Sequence, residues 1–583
     1  MSITLAGRAA APGAAVGPAF IIEPPAVAAE PVPETRAGSV KQEKDRLHEA
    51  LGRAEAELRE LAERVAAAAG EDEAEIFEAH AEFATDPELV AQAHTAIEAG
   101  ASAERAVIQA FDTFRQLLAA STNEYLSARA ADLDDVRDRV VSILRGYDTA
   151  VPIPLERSVI VARALTPSQT ASLPRELIAA VVTETGSPTS HAAILARSLG
   201  TPAVVACHGL LAAVEDGVEL AVDGRRGVIT IAPTEDELHT IEERIREEEK
   251  RRAELTALRE REGRTADGRR IELAANIGSP EDLPAALEAG AEGSGLVRTE
   301  FLFLGRRIAP TVEEQVRFYT EVLEAFPGRR VVFRTMDVGA DKPLPFVDRE
   351  PEENPALGLR GIRLSLERSD LFKDQLRALL RAKEAVGEGA GRTAIMFPMV
   401  AAARELIHAR AVLREVAEQE GIGLGGVEVG VMVEIPSAAM SAGRIAAHAD
   451  FLSIGTNDLL QYLFAADRLN ALVSELVDIC EPDVLALIGD VIDAGHANGA
   501  WVGVCGEAAN DPTVAAALVG LGADELSMTR VAIPEVKDTL RNLRFEDCRR
   551  AVRAAIAEAA DGSEARRLLE ERLGLGSDDL RLS

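Results

Sequence analysis

Cysteine is scarce in this chain. There are four in 583 residues, Cys207, Cys480, Cys505 and Cys548, far apart and without metal-ligand spacing. That usage excludes a disulfide framework and a zinc-finger type of site, and it suits a reduced, cytoplasmic compartment. Aromatic residues are equally sparse, 4% of the total with a single tryptophan, so the cores have to be built from Ala, Val, Leu and Ile. No run approaches the ~20 apolar residues needed to span a bilayer. No basic segment followed by an apolar stretch opens the chain as a secretion signal would. Basic residues are in deficit too, 63 Lys and Arg against 97 Asp and Glu, for a formal net charge of −34. Such a surface repels nucleic acid and anionic membrane and favours a partner with a basic contact face. A few arginines can still line one anion pocket.

The length points to about three or four domains. Residues 3–22 carry short apolar runs broken by Gly and Pro, followed by Pro25, Pro31 and Pro33. From Val40 to Tyr147 the pattern changes to long amphipathic helices with apolar residues at helical spacing, which predicts an antiparallel bundle. The bundle reads either as a docking module for another protein or as a spacer with solvated charges. Strand-like runs return at Ser158–Ala162, Leu177–Thr183, Pro202–Ala206 and Glu219–Ala232. The bundle (34–147) is therefore expected as an insertion in a small α/β domain made of residues 1–33 and 148–234. A charged helix over 235–262 reads as a connector.

After Gly263 strand and helix alternate. Eight strand-like runs, Ile271–Ala275, Gly295–Val297, Val331–Thr335, Ile395–Pro398, Val429–Val433, Phe451–Ile454, Trp501–Val504 and Glu525–Met528, predict a TIM (β/α)8 barrel over 263–583. The fold class expected is thus α/β multidomain. Polar residues gather at the C-terminal ends of these runs: Arg298-Thr299-Glu300, Arg334, Asp337, Glu434, Gly455-Thr456-Asn457-Asp458 and Cys505-Gly506-Glu507. In such barrels that end holds the active site, and residues scattered by chance would not share it.

Arg298, Arg334, Arg360, Arg363 and Arg468 supply guanidinium forks that match phosphate and carboxylate oxygens, so a small multiply charged anion is one expected ligand. Ion pairing with neighbouring acids is the other use open to each. Glu434 and Asp458 follow adjacent strands and could share one Mg²⁺, which takes one or two carboxylates plus substrate oxygens and water. Glu300 and Glu507 could be partners of the arginines. Cys505 reads either as a small buried hydrophobe or as a protonated thiol able to give its proton to a carbanion.

The other chemically loaded stretch is Thr183–Cys207, TETGSPTSHAAILARSLGTPAVVAC. Thr189 and Ser190 are good N-caps for a helix from Ala192, which puts His191 in its first turn. Free N–H groups and the positive end of the helix dipole there disfavour the imidazolium and suit a phosphate once one is attached. On position alone His191 is either a capping residue or a neutral nucleophile.

These motifs together resemble a known family. TSHAAILARSLGTPAVV around His191 is similar to the phosphohistidine segment of phosphoenolpyruvate-utilising enzymes. GLVRTEFLF, FRTMDVGADKP, NPALGLRGIR, MFPMV, GVMVEIPSA, SIGTNDLLQY, AADR and GVCGEAA are similar to that superfamily's barrel motifs. With GRAAAPGAAVGPA from Gly7, the combination resembles the Enzyme I family of the bacterial phosphoenolpyruvate:sugar phosphotransferase system over nearly the whole chain. The resemblance implies that His191 accepts phosphate on Nε2 from phosphoenolpyruvate and passes it to the small phosphocarrier protein HPr. It implies substrate contacts from Arg298, Arg334, Arg360, Arg468, Asn457 and the backbone beside Asp458. It further implies Mg²⁺ on Glu434 and Asp458, carbon protonation by Cys505, a swivelling histidine domain and a homodimer formed through the barrel. Gly186-Ser187-Pro188 stands where the family usually has a Gly-Gly pair, which bears on the turn's phosphate contacts and not on the histidine's role. Pyruvate phosphate dikinase and phosphoenolpyruvate synthase share the histidine and barrel segments. They carry an ATP-grasp domain ahead of the histidine, where this chain has charged helix.

Overall fold

The structure is a computed structural model. It describes the chain except residues 1, 23–31, 70, 120–131, 148, 150, 188–192, 194–195, 198–200, 305, 339–343, 345, 348–351, 388, 468–469, 471–472, 474–475 and 576–583. It divides into two compact units, 1–251 and 252–583.

In the first unit an eight-stranded mixed sheet has the order β1-β8-β7-β3-β4-β5-β6-β2. Its strands are β1 (Ile3–Ala6), β2 (Arg8–Ala11), β3 (Ala14–Ile22), β4 (Ser158–Ala162), β5 (Ile178–Thr183), β6 (Ala203–Val205), β7 (Glu219–Asp223) and β8 (Val228–Ile231). β3 pairs in parallel with β4 and antiparallel with β7, so it lies at the centre of a sheet completed more than a hundred residues later, with β1 and β2 at its two edges. Burial explains the composition: β4 and β5, SVIVA and IAAVVT, are buried at every position, and such strands read as continuous apolar runs rather than alternating ones. The expected single run Glu219–Ala232 is in fact two strands. Gly224-Arg225-Arg226-Gly227 forms a turn between them, with Arg226 N–H bonded to Asp223 Oδ1 at 2.9 Å.

Between β3 and β4 come helices Val40–Ala69, Glu71–Ala84, Pro87–Glu98, Ala103–Ala119 and Asp132–Leu144. Small and aliphatic side chains from them, such as Leu47, Ala54, Leu58, Ile97, Val107, Val136 and Val140, form one core. Helix Glu235–Ala257 follows β8.

In the second unit eight parallel strands close into a barrel, β9 (Glu272–Ile277), β10 (Gly293–Val297), β11 (Arg330–Arg334), β12 (Arg392–Phe397), β13 (Glu428–Val433), β14 (Phe451–Ile454), β15 (Trp501–Val504) and β16 (Glu525–Met528). Each overlaps a run read from the sequence. Alternate side chains face the surrounding helices, while Leu296, Val332, Ala394, Met396, Met432, Phe451 and Cys505 fill the interior with Trp501 packed against them. With so few aromatics, thioethers and one stacked Phe451–Trp501 pair plug the barrel.

Candidate active site

The C-terminal end of the barrel holds a lattice of opposite charges. Arg334 closes β11 with its guanidinium buried; Nη2 lies 2.9 Å from Glu300 Oε1 and Nη1 3.2 Å from Asp337 Oδ2. Glu300 sits in a single helical turn just past β10, and its Oε1 also accepts the Asp337 N–H at 2.9 Å. Burial by itself disfavours the charged guanidinium, but the carboxylates of Glu300, Asp337 and Glu434 outweigh it and stabilise the charge on Arg334. Arg360 approaches from the loop after β11. Its Nη2 lies 2.9 Å from Asp337 Oδ2 and 3.2 Å from Asp458 Oδ2, and Nη1 lies 3.4 Å from Tyr462 Oη. Gly361 follows with φ +57°, where a side chain would press on Met399 and Asp337, so only glycine lets the loop come in this close.

Asp337, Glu434 and Asp458 each offer an oxygen, and these oxygens all lie within 4.8 Å of one another. Glu434 is buried just past β13 and takes the Met399 N–H at 2.6 Å. Burial first, and then the charges of Asp337 and Asp458, push its carboxyl up to about 8. Three carboxylates facing one another with this much mutual repulsion are what a hard divalent cation relieves, and all-oxygen donors suit Mg²⁺. The donor set fits.

Cys505 lies one residue past β15, within electrostatic reach of Arg334 and Glu434. It is buried, and burial pushes its thiol up to about 11, so it carries its proton at neutral pH. Its Sγ lies 3.8 Å from the Ile454 carbonyl oxygen. Gly506 passes so close to Thr456 that no side chain fits there. Glu507 is then clasped by Asn457: Glu507 N–H donates to Asn457 Oδ1 at 3.0 Å, and Asn457 Nδ2 donates to Glu507 Oε1 at 3.2 Å.

The structure therefore brings together Arg334, Arg360, Glu434, Asp458, Asn457 and Cys505. Arg298 is exposed just beyond β10 and has no ion pair among the described residues. His191 and Arg468 lie outside the described residues. Two expectations shift. Glu300 is an arginine partner, whereas Glu507 pairs with Asn457 among the described residues, because the turn after Cys505 aims it at the start of helix Thr456–Phe464. Arg363 donates to the carbonyls of Leu357 and Gly358 and so braces a loop. The residue that sequence reasoning left without a role is Asp337, which joins both the guanidinium lattice and the carboxylate cluster. Its spacing was the available signal, three residues after Arg334 and just past a strand end.

Residues 252–545 match the PEP-binding domain of PEP-utilising enzymes, residues 6–129 their N-terminal domain and residues 153–227 their mobile domain. The chain is 42% identical over 553 residues to a phosphoenolpyruvate-protein phosphotransferase of Priestia megaterium, covering 94% of this chain and 95% of that one. It is 41% identical to the Staphylococcus carnosus protein of the same name over 98% and 99% of the two chains. With the Streptomyces coelicolor protein of that name it shares 44% identity over 97% and 98%. The chain belongs to the phosphoenolpyruvate-protein phosphotransferase family. Like those relatives, it is an enzyme. The stretch matched to the family's PEP-binding domain contains the whole lattice from Glu300 to Cys505. No helix among the described residues is long and apolar enough to cross a membrane.

Proposed function

We propose that the chain takes the phosphoryl group of phosphoenolpyruvate onto its own His191, releases pyruvate and hands the phosphate to a histidine of the phosphocarrier HPr. This is the first step of a sugar phosphotransferase system. The observation that carries the reading is the buried Arg334–Asp337–Arg360 lattice standing directly against a three-carboxylate cluster. Charge-assisted forks of this kind suit a ligand that is both a phosphate and a carboxylate.

Arg298, Arg334 and Arg468 hold the substrate's oxygens, with Arg360 and Asn457 completing the pocket. Glu434 and Asp458, joined by Asp337, would hold Mg²⁺. When bound it neutralises charge on the phosphoryl and carboxylate oxygens. Neutral His191 Nε2 attacks phosphorus; the N–P bond forms as the P–O bond to enolpyruvate breaks. Positioning and fixed charge supply most of the rate. Cys505 gives its proton to C3 of the departing enolpyruvate, C2–O becomes a carbonyl, and water reprotonates the thiolate. The helical insertion at 34–147 in the α/β domain of residues 1–33 and 148–234 serves as carrier dock. The barrel (263–583) provides the homodimer contact, and the connector is 235–262. The setting is cytoplasmic.

Incubating the protein with labelled phosphoenolpyruvate, Mg²⁺ and the carrier tests the reading. Stoichiometric pyruvate and a label that chases from this protein to the carrier support it. Pyruvate release without a phosphoprotein overturns it.

A further inference from the structure

Asn276 is a polar side chain turned into the barrel next to the candidate proton donor. Along β9, Leu273, Ala275 and Ile277 belong to the helix-facing core. Alternation therefore turns Glu272, Ala274 and Asn276 inward. Both ends of the Asn276 amide are engaged: Nδ2 donates to the Cys505 carbonyl oxygen at 3.2 Å, and Oδ1 accepts from Ser527 Oγ on β16 at 2.7 Å. The first bond fixes which way the amide faces, since a carbonyl only accepts, and the Ser527 hydroxyl then donates to the oxygen that is left. Cys505 itself lies one residue past β15; its N–H still reaches the Ile454 carbonyl at 3.1 Å, but its carbonyl has left the strand ladder. The Cys505 peptide is thus held on one side by a strand and on the other by Asn276, while the Asn457–Glu507 clasp fixes the next turn. Placing an amide inside a barrel costs free energy unless its bonds are made. Here one bond anchors the amide to β16 through Ser527, and the other holds the residue whose thiol has to face a substrate carbon.

We infer that Asn276, oriented by Ser527, is a positioning residue for carbon protonation, holding the Cys505 peptide so that its thiol addresses one face of enolpyruvate. The inference rests on the reading of Cys505 as proton donor. In that step the S–H bond breaks, a C–H bond forms at C3, the enolate electrons become the C2 carbonyl, and the thiolate is reprotonated by water. Asn276 and Ser527 touch none of the reacting atoms. They act on geometry alone, so their loss should show in where the proton lands as well as in how fast.

The experiment uses full-length wild type, Asn276→Ala, Ser527→Ala, Cys505→Ala and the Asn276→Ala/Cys505→Ala double variant. Each turns over phosphoenolpyruvate bearing tritium in one vinylic position, in D₂O with Mg²⁺ and carrier, and the pyruvate is trapped at once as lactate. The chirality of the H, D, T methyl group is then read. Wild type gives one configuration. Asn276→Ala should release pyruvate about 10- to 100-fold more slowly, the scale expected for a donor misplaced by about 1 Å. It should lose part of the chirality and keep KM for phosphoenolpyruvate nearly unchanged. Ser527→Ala, a small truncation that leaves Asn276 in place, should move both readouts the same way and less far. The double variant should be no slower than Cys505→Ala, since a positioning residue has nothing left to position. Retention of rate and chirality in both Asn276→Ala and Ser527→Ala, with Cys505→Ala losing both, overturns the inference and leaves the thiol reading standing. Additive losses in the double variant, or a loss of substrate affinity that accounts for the whole rate effect, overturn it as well. Wild-type rate and chirality in Cys505→Ala overturn the thiol reading and the inference with it.

Discussion

The Arg334 guanidinium is buried with its Nη2 2.9 Å from Glu300 Oε1, and the same carboxylate oxygen takes the Asp337 N–H. One acid therefore aims a cation and pins the loop that carries the next acid. Glu300→Gln should leave the barrel folded yet loosen both. Hydrogen bonds to charged groups are worth roughly 1.5–3 kcal/mol each, so kcat/KM for phosphoenolpyruvate should fall about 10- to 100-fold. Steady-state kinetics at saturating Mg²⁺ checks this. An unchanged kcat/KM would show that Arg334 orients itself.

Asp337 predicts a metal effect that Arg334 does not share. Asp337→Asn keeps the side chain's size and removes one charge from the group formed with Glu434 and Asp458. The Mg²⁺ concentration needed for half-maximal labelling of the protein by phosphoenolpyruvate should rise at least as much as in Asp458→Asn. If only Asp458→Asn and Glu434→Gln shift it, Asp337 serves the arginines alone.

The barrel's strands were legible in the sequence because most are short apolar runs with polar residues just past their C-terminal ends. A strand buried on both faces can hardly look otherwise. The mouth was legible because polar residues recur at one end of those runs. What was not legible is which acid meets which base. Asp337 pairs with one arginine at a strand end and another in the following loop, and Glu507 turns to Asn457, because loop conformation after a strand decides where a carboxylate points. Spacing along the chain does not encode that. The long run Glu219–Ala232 misled for the opposite reason, since a four-residue turn of Gly, Arg, Arg and Gly interrupts it without breaking the apolar pattern on either side.

Cys505 sets a pH dependence. Burial raises its thiol to about 11 from an ordinary value near 9. The proton-bearing form therefore persists through pH 9 and is lost only as pH climbs toward 11. Solvent-deuterium incorporation into pyruvate should show no thiol ionisation below about pH 10, whereas a free cysteine would titrate near ~8.5. A fall in the pyruvate-forming step centred near pH 8.5, absent in Cys505→Ala, would contradict the environment described.

At the opposite end of the barrel Glu525 is buried beside Arg330, Glu272 and Glu428. Burial, then the charge of Glu272, raise its carboxyl to about 8, against the pull of Arg330. A carboxyl raised this far above its unfolded value of about 4.5 favours folding while protonated. Its contribution is fully present below about pH 4.5 and fades as pH rises through about 8. The only tryptophan of the chain reports on this cluster, with the Arg330 guanidinium carbon 3.8 Å from its ring centroid and Nε1 2.8 Å from Glu428 Oε2. Thermal melts followed by Trp501 fluorescence should lose stability as pH rises from about 4.5 to about 8 and level off above that, and Glu525→Gln should flatten that slope. Equal slopes in both proteins would rule out Glu525 as the titrating group.

In the proposed reaction a phosphoryl group moves from a substrate held by the Arg334–Asp337–Arg360 lattice to His191. The most direct measurement labels wild type and His191→Ala with phosphoenolpyruvate carrying radioactive phosphorus in the presence of Mg²⁺, and maps the label by peptide. Wild type should carry acid-labile, base-stable phosphate on the peptide spanning His191, with one pyruvate released per phosphate, and His191→Ala should carry none. Acid-labile phosphate elsewhere in the chain, or undiminished labelling of His191→Ala, would contradict it.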